Sequence, residues 1–231
     1  MREIVLDTET TGLDPFTGDR LVEVGCVELF NSLPTGKTFH KYINPERDMP
    51  DEAYRIHGLS ADFLRDKPKF ADIAEELVEF VEDAKLVIHN AEFDMKFINH
   101  ELAQIGMAPI PMSQVLDTLA LARRKHPGSP NSLDALCSRY RIDNSRRTKH
   151  GALLDSEILA EVYLELIGGR QTMLTLPQEA EKPVELSVPT NLLADRPQPL
   201  QPVLGETTIA DHETMIAKIG DRALWRRYKQ Q

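Results

Sequence analysis

The chain is short of cysteine, of long apolar runs and of positive charge, and each shortage narrows what it can be. Only Cys26 and Cys137 occur, both inside apolar-patterned segments. That pattern reads as two buried, reduced thiols in a cytosolic protein. There is no apolar run of about 18 residues, the length that marks a transmembrane helix. Ile4-Val5-Leu6 meets the acidic Asp7 after only three apolar residues. That is far shorter than a signal-peptide core, so a cytoplasmic location is expected. Lys and Arg number 27 against 37 Asp and Glu, a net charge of −10. A protein that coats duplex DNA by counterion release needs a basic face, which this balance argues against. An enzyme that grips one strand end through cations is still allowed, because cations on clustered carboxylates invert the local field. No internal repeat is visible.

What is present suits a packed α/β unit with an appendage. The 231 residues allow one domain of ordinary size plus an extension. Ile4–Leu6 reads as a short buried strand and Leu21–Phe30 as a second. A turn over Asn31–Gly36 then leads to a third strand over Lys37–Asn44. Together these predict an antiparallel meander. Apolar residues at 73, 77, 78 and 81 predict an amphipathic helix over Asp72–Glu82. Leu86–Ile88 is a further buried strand, Ala91–Ile105 a helix, and Val115-Leu116 a short strand ending at Asp117. Ser132–Tyr140 reads as a helix capped by Asn131 or Ser132. Ala152–Ile167 is the clearest helix, with Leu154, Ile158, Leu159, Val162 and Leu166 on one stripe and Gly168-Gly169 as its stop. The order predicts a mixed-direction sheet flanked by helices.

Six of the fifteen prolines fall between Pro177 and Pro202. Residues 177–207 therefore read as a Pro-rich flexible linker, extended and semi-rigid. A short helical pattern returns over 208–231 and includes Trp225, the only tryptophan.

Three clusters carry the chemistry. Asp7 and Glu9 stand two apart on a strand and so share a face. Two adjacent anions repel unless a cation sits between them, and oxygen ligands of this kind suit Mg²⁺ or Mn²⁺. The pair taken alone also fits a solvated turn with Thr10-Thr11-Gly12. His89-Asn90-Ala91-Glu92-Phe93-Asp94 places Asp94 on the first turn of a helix after a buried strand. There an acid could do no more than complement the helix dipole. His150-Gly151-Ala152-Leu153-Leu154-Asp155 places Asp155 beside the apolar stripe, where an acid needs a partner and a metal would supply one. His150 sits on the leading loop, as a solvated residue or one that swings toward the same site. Jointly, acids at 7, 9, 94 and 155 plus His150 predict a two-metal site for phosphodiester hydrolysis. His150 would take the proton from the attacking water, since an imidazole pKa of about 6.5 suits that task.

These three motifs resemble those of the DEDDh exonuclease family over roughly residues 1–170. The resemblance implies an RNase H-like fold and 3′→5′ release of nucleoside 5′-monophosphates. It implies two divalent cations, Mg²⁺ or Mn²⁺, held by Asp7, Glu9, Asp94 and Asp155, with His150 as general base. Within the family, the chain is most similar to the proofreading epsilon subunits of bacterial DNA polymerase III. Glu52-Ala53-Tyr54-Arg55-Ile56-His57-Gly58-Leu59 resembles their segment on the terminal nucleotide. Asp7, Thr8, Glu9, Glu52, His57 and Asp155 are then the substrate contacts, and the substrate is the single-stranded 3′ end of DNA. A capping acid and a loop histidine are the bland alternative for Glu52 and His57. Phe93 could stack on a splayed base or be a core aromatic.

Gln171-Thr172-Met173-Leu174-Thr175-Leu176 resembles a sliding-clamp peptide, with Gln171, Leu174 and Leu176 as contacts. A frayed helix end is the alternative. The tail, with Ile216, Ile219, Leu224 and Trp225, resembles the end that binds the polymerase alpha subunit, and tryptophan is a common interface anchor. Two other functions fit parts of the chain: a stand-alone DEDDh exoribonuclease, and a non-catalytic scaffold bridging polymerase and clamp.

Overall fold

The computed structural model describes residues 1–168 and 205–220. Its sheet is built of β1 (Arg2–Thr10), β2 (Leu21–Phe30), β3 (Leu33–Tyr42), β4 (Lys85–Ile88) and β5 (Val115–Asp117). The spatial order is β3-β2-β1-β4-β5. The first three strands pair antiparallel, and β4 pairs parallel with both β1 and β5. The expected mixed sheet is therefore present. The helices are α1 (Asp51–His57), α2 (Ala61–Leu64), α3 (Phe70–Val81), α4 (Ala91–Gln104), α5 (Thr118–Lys125), α6 (Leu133–Tyr140) and α7 (Ala152–Leu166). No helix among the described residues is long and apolar enough to cross a membrane.

Of the boundaries that differ from the sequence reading, two have a clear local reason. β3 begins at Leu33, not Lys37, because Asn31 (φ 50°) and Ser32 (φ 63°) alone make the turn. Two consecutive left-handed residues form the tight hairpin whose twist matches the flanking strands. β1 runs on through Asp7 and Glu9 to Thr10. The acids therefore lie within the strand, not beyond its end. Helices α1, α2 and α5 were not anticipated. All are eight residues or shorter, too short for a periodic signal.

The alternation of β1 sorts its side chains between two cores. Ile4 and Leu6 face α3 and α4, in a cluster with Phe70, Leu77, Met95 and Phe97. Val5 faces the other way, packed with Leu159 and Tyr163 of α7. Glu3 shares that second face and accepts a hydrogen bond from the Tyr163 hydroxyl at 2.6 Å. A period of two then sends Asp7 and Glu9 toward α7, and Thr8 toward α4.

The chain divides into two units, Met1–Thr175 and Leu176–Gln231. In the second, α8 (Glu206–Ile219) exposes Ile209, Met215 and Ile219, with Ile216 half-buried. It starts two positions before the expected start of the tail at 208. Gln171, Leu174, Leu176, Leu224 and Trp225 lie outside the described residues.

Candidate active site

Glycine lets α7 reach the acids on β1. Gly25 on β2 pairs opposite Asp7. A Cβ there would come within 2.2 Å of Leu153 N and 2.3 Å of the Ala152 carbonyl carbon, so only glycine admits the start of α7. Ser156 Oγ donates to the Gly25 carbonyl at 2.9 Å and fixes the contact. Asp155, one residue earlier on α7, is thereby carried to the acid-bearing face of β1. Ligand atoms of Glu9, His150 and Asp155 all lie within 4.8 Å of one another.

Asp94 arrives from the opposite core. Asn90 turns the chain between β4 and α4 in the left-handed conformation (φ 64°), which Asn tolerates. Its backbone N–H donates to Asp117 Oδ1 at 3.1 Å, and the same oxygen caps α5 through Leu119 N at 2.8 Å. Asp94 follows on the first turn of α4, is 3% exposed, and accepts a 2.6 Å hydrogen bond from Thr8 Oγ1. An acid placed only to complement a helix dipole would be solvated, so burial removes that alternative.

Electrostatics confirm that the acids crowd one place. Burial pushes the Asp7 carboxyl well above its ordinary value, and Asp94, Glu9 and Asp155 push it further. Glu9 is raised to about 8, by burial first and then by Asp155, Glu23 and Asp94. Glu23 stands directly opposite Glu9 in the β1–β2 register. Asp94 is raised to about 7 by burial, against the Thr8 hydrogen bond that lowers it. A set of carboxylates held at such cost fits a divalent cation, and oxygen ligands suit Mg²⁺ or Mn²⁺.

Asp155 departs from this pattern. Burial raises it, yet hydrogen bonds from His150 and Arg147 bring it below its ordinary value. Arg147 Nε donates to Asp155 Oδ1 at 2.6 Å and Nη2 to Oδ2 at 2.8 Å. Arg147 is thus a side-chain partner of this acid that the sequence reading did not include. Sequence reading missed Arg147 because it lies in the irregular 141–151 loop, where no periodicity singles it out. Its position three residues before His150 was the only signal.

His150 lies on that loop, as expected, but is tethered. Its backbone N donates to the Ile56 carbonyl of α1 at 3.2 Å, and its side chain is 48% exposed. A cleft of about 720 Å³ is lined by Asp7, Asn90, Arg123, Asp134, Arg147, His150 and Asp155, among others.

The remaining candidates are placed as follows. The Thr8 hydroxyl is committed to Asp94. Glu52 is exposed on the first turn of α1 and is not among the residues lining the cleft. His57 closes α1, not a loop; it is buried, with Nδ1 accepting from Leu59 N at 3.0 Å. Its Nε2 is then a buried donor with no partner. Phe93 packs against the main core and tilts against Phe97, with centroids 5.1 Å apart. The core-aromatic reading holds for it.

Comparison with known proteins identifies the family. The family described as Exonuclease (RNase_T) matches residues 4–163. Members of this family depend on divalent metal ions. DNA polymerase III subunit epsilon of Rickettsia felis is 56% identical, covering 84% of this chain and 83% of its own. The Escherichia coli protein of the same name is 43% identical over 97% of both chains. The nuclease domain of 3′hExo, a DEDDh family member solved with rAMP, superposes with a TM-score of 0.63 at 18% identity, covering 72% of this chain and 91% of that one. Exonuclease X, solved with 5′ overhanging duplex DNA, gives a TM-score of 0.56 at 24% identity, with coverages of 71% and 90%. The chain belongs to the exonuclease family, in the group of the DNA polymerase III epsilon subunits.

Proposed function

We propose that the chain is the proofreading 3′→5′ exonuclease of a replicative DNA polymerase and releases nucleoside 5′-monophosphates from the single-stranded 3′ end of newly made DNA. The observation that carries this reading is the convergence of Asp7, Glu9, Asp94, Asp155 and His150 from three distant segments, with Asp7, Asp155 and His150 lining one cleft.

Two divalent cations, Mg²⁺ or Mn²⁺, held by Asp7, Glu9, Asp94 and Asp155, would supply charge stabilisation at the attacking and leaving oxygens. His150, on an exposed loop at the mouth of the cleft, takes the proton of the attacking water. Its neutral form is required, so activity falls as the imidazole protonates. Thr8 holds Asp94 in its ionised, ligating form through the hydroxyl, and its backbone faces the terminal sugar. His57 and Glu52, on α1, contact the terminal nucleotide, as the resemblance to the epsilon segment over Glu52–Leu59 implies. Entry into the site requires an unpaired terminus, and unpairing costs less at a mismatch. That difference turns the hydrolase into a proofreader.

The chain works in the cytoplasm within a polymerase assembly. Ile216 and Ile219 of α8, with Leu224 and Trp225, dock on the polymerase alpha subunit. Exposure of Ile209, Met215 and Ile219 on α8 supports this, since such a stripe is stabilised by burial against a partner. Residues 171–176, with Gln171, Leu174 and Leu176, engage the sliding clamp, and 177–207 is the tether between the two contacts.

The test is Mg²⁺-dependent release of the terminal nucleotide from a 5′-labelled primer, matched or mismatched at its 3′ end. Wild type should digest the mismatched end faster, and Asp7→Ala should be inert. If both proteins were inert, the enzyme reading would fail. Co-purification with the alpha subunit should be lost when residues 208–231 are removed while digestion persists.

A further inference from the structure

Arg147 is a buried charged group at the centre of the site that the proposed reaction does not use. Its side chain is 8% exposed, as enclosed as a core residue. A guanidinium carries no acceptor, so each of its contacts is a donation. Two go to Asp155, at 2.6 and 2.8 Å. One goes from Nη1 to Asp134 Oδ1 at 2.7 Å, and one from Nη2 to His150 Nδ1 at 2.8 Å.

These contacts occupy Asp155. Both of its oxygens face the planar fork, a bidentate pairing among the strong ones a carboxylate makes. His150 Nδ1 lies beside the pair, 2.8 Å from Arg147 Nη2 and 3.3 Å from Asp155 Oδ2.

We propose that Arg147 is an internal competitor for the cation, holding Asp155 out of use until a substrate phosphate draws its guanidinium away. The inference rests on the metal-site reading above. A guanidinium and a divalent cation on one carboxylate repel each other, so loading requires Arg147 to give way. Asp134 makes the exchange local. It is 61% exposed on the cleft wall, so it keeps one hold on Arg147 while the Asp155 contacts open. Both residues line the cleft that leads to Asp7 and Asp155, where a strand phosphate would pass. A phosphate matches the fork as well as a carboxylate does. Metal binding and substrate binding each then remove the obstacle to the other, which couples them positively. The enzyme loads its cations fully only on an engaged strand.

The test measures Mn²⁺ affinity of the full chain by calorimetry and by the thermal shift Mn²⁺ induces, with no turnover required. Arg147→Gln should bind Mn²⁺ at least roughly tenfold more tightly than wild type, with a larger thermal shift over its own value in EDTA. Arg147→Lys, which keeps the charge, should stay near wild type. Deoxythymidine 5′-monophosphate should tighten Mn²⁺ binding more in wild type than in Arg147→Gln. Arg123→Gln is the control: this exposed arginine lines the same cleft and has no ion-pair or hydrogen-bond partner among the described residues. It should change Mn²⁺ affinity by less than about twofold. Unchanged or weaker affinity in Arg147→Gln overturns the competitor alone. An equal gain in Arg123→Gln also overturns it, by reducing the effect to net charge. No Mn²⁺ binding in any variant overturns the metal site and the competitor together.

Discussion

Thr8 donates its hydroxyl to Asp94 across 86 positions of sequence, at 2.6 Å, and so joins the first strand of the sheet to the first turn of α4. The bond favours the ionised form of a carboxyl that burial otherwise pushes up to about 7. Thr8→Val removes the donor and keeps the shape. The Asp94 carboxyl should titrate higher still, and the acid limb of the pH–activity profile should move to higher pH. Stability should fall by about 1–3 kcal/mol, the cost of a buried charged acceptor left without its donor. An unmoved acid limb would separate Asp94 from the rate-limiting chemistry.

Stability in EDTA should run opposite to the usual carboxylate trend. Glu9 is raised from 4.5 to about 8, and Asp7 and Asp94 are raised as well. Between the unfolded and folded values the native state binds more protons than the unfolded one, so stability falls as pH rises. The melting temperature should therefore decline from about pH 4.5 to about pH 8 in chelator. Mn²⁺ should reverse the decline. A melting temperature that rises over that range would mean the acids are solvated and apart.

Glu9→Gln isolates the same cost at one residue. It removes a buried anion that faces Asp155, Glu23 and Asp94. At pH 8 in EDTA the variant should melt higher than wild type, by roughly 2–4 °C for each kcal/mol of relieved repulsion. Its hydrolytic activity should be lost. A gain in stability with a loss of function is the signature of charges assembled for a cation.

Gly25→Ala tests the approach of α7. The added methyl meets backbone atoms of Ala152 and Leu153, which cannot rotate away. The helix must shift, at about 1–3 kcal/mol for an overpacked contact. Asp155 shifts with it, so activity at saturating Mg²⁺ should fall further than the stability loss explains. Full activity from this variant would show that Asp155 tolerates displacement.

Glu101→Ala probes an ion pair outside the chemistry. Arg20 Nε and Nη2 donate to the two Glu101 oxygens at 2.7 and 2.8 Å, and Glu101 is 2% exposed. Removing one partner of a buried pair costs about 3–5 kcal/mol. Melting should drop sharply, while activity per folded molecule at low temperature stays near wild type.

The acids were readable in the sequence because each sits beside a pattern with a period. Asp7 and Glu9 follow a buried strand, Asp94 opens a helix, and Asp155 lies on the longest apolar stripe. The antiparallel meander and the helices of 12 residues or more were readable for the same reason. Arg147 and Asp134 were not, because a loop residue and a solvated first-turn acid carry no local signature. Only the folded chain puts them 2.7 Å apart. The start of β3 was misplaced because Pro34 and Gly36 look like turn residues, while the turn itself rests on two left-handed positions. The loop-histidine alternative for His57 arose because seven residues of α1 are too few to show a stripe.

The late arrival of α7 also sets a timetable for synthesis. A nascent chain that has emerged through β5 already holds Asp7, Glu9 and Asp94, yet lacks both Asp155 and His150. At about 5–20 residues per second the ribosome needs roughly 7–30 s to travel from the first acid to the last. On the proposed assignment of the site, the polypeptide has no competent hydrolytic centre over that interval, and truncated products that stop short of α7 should not degrade DNA.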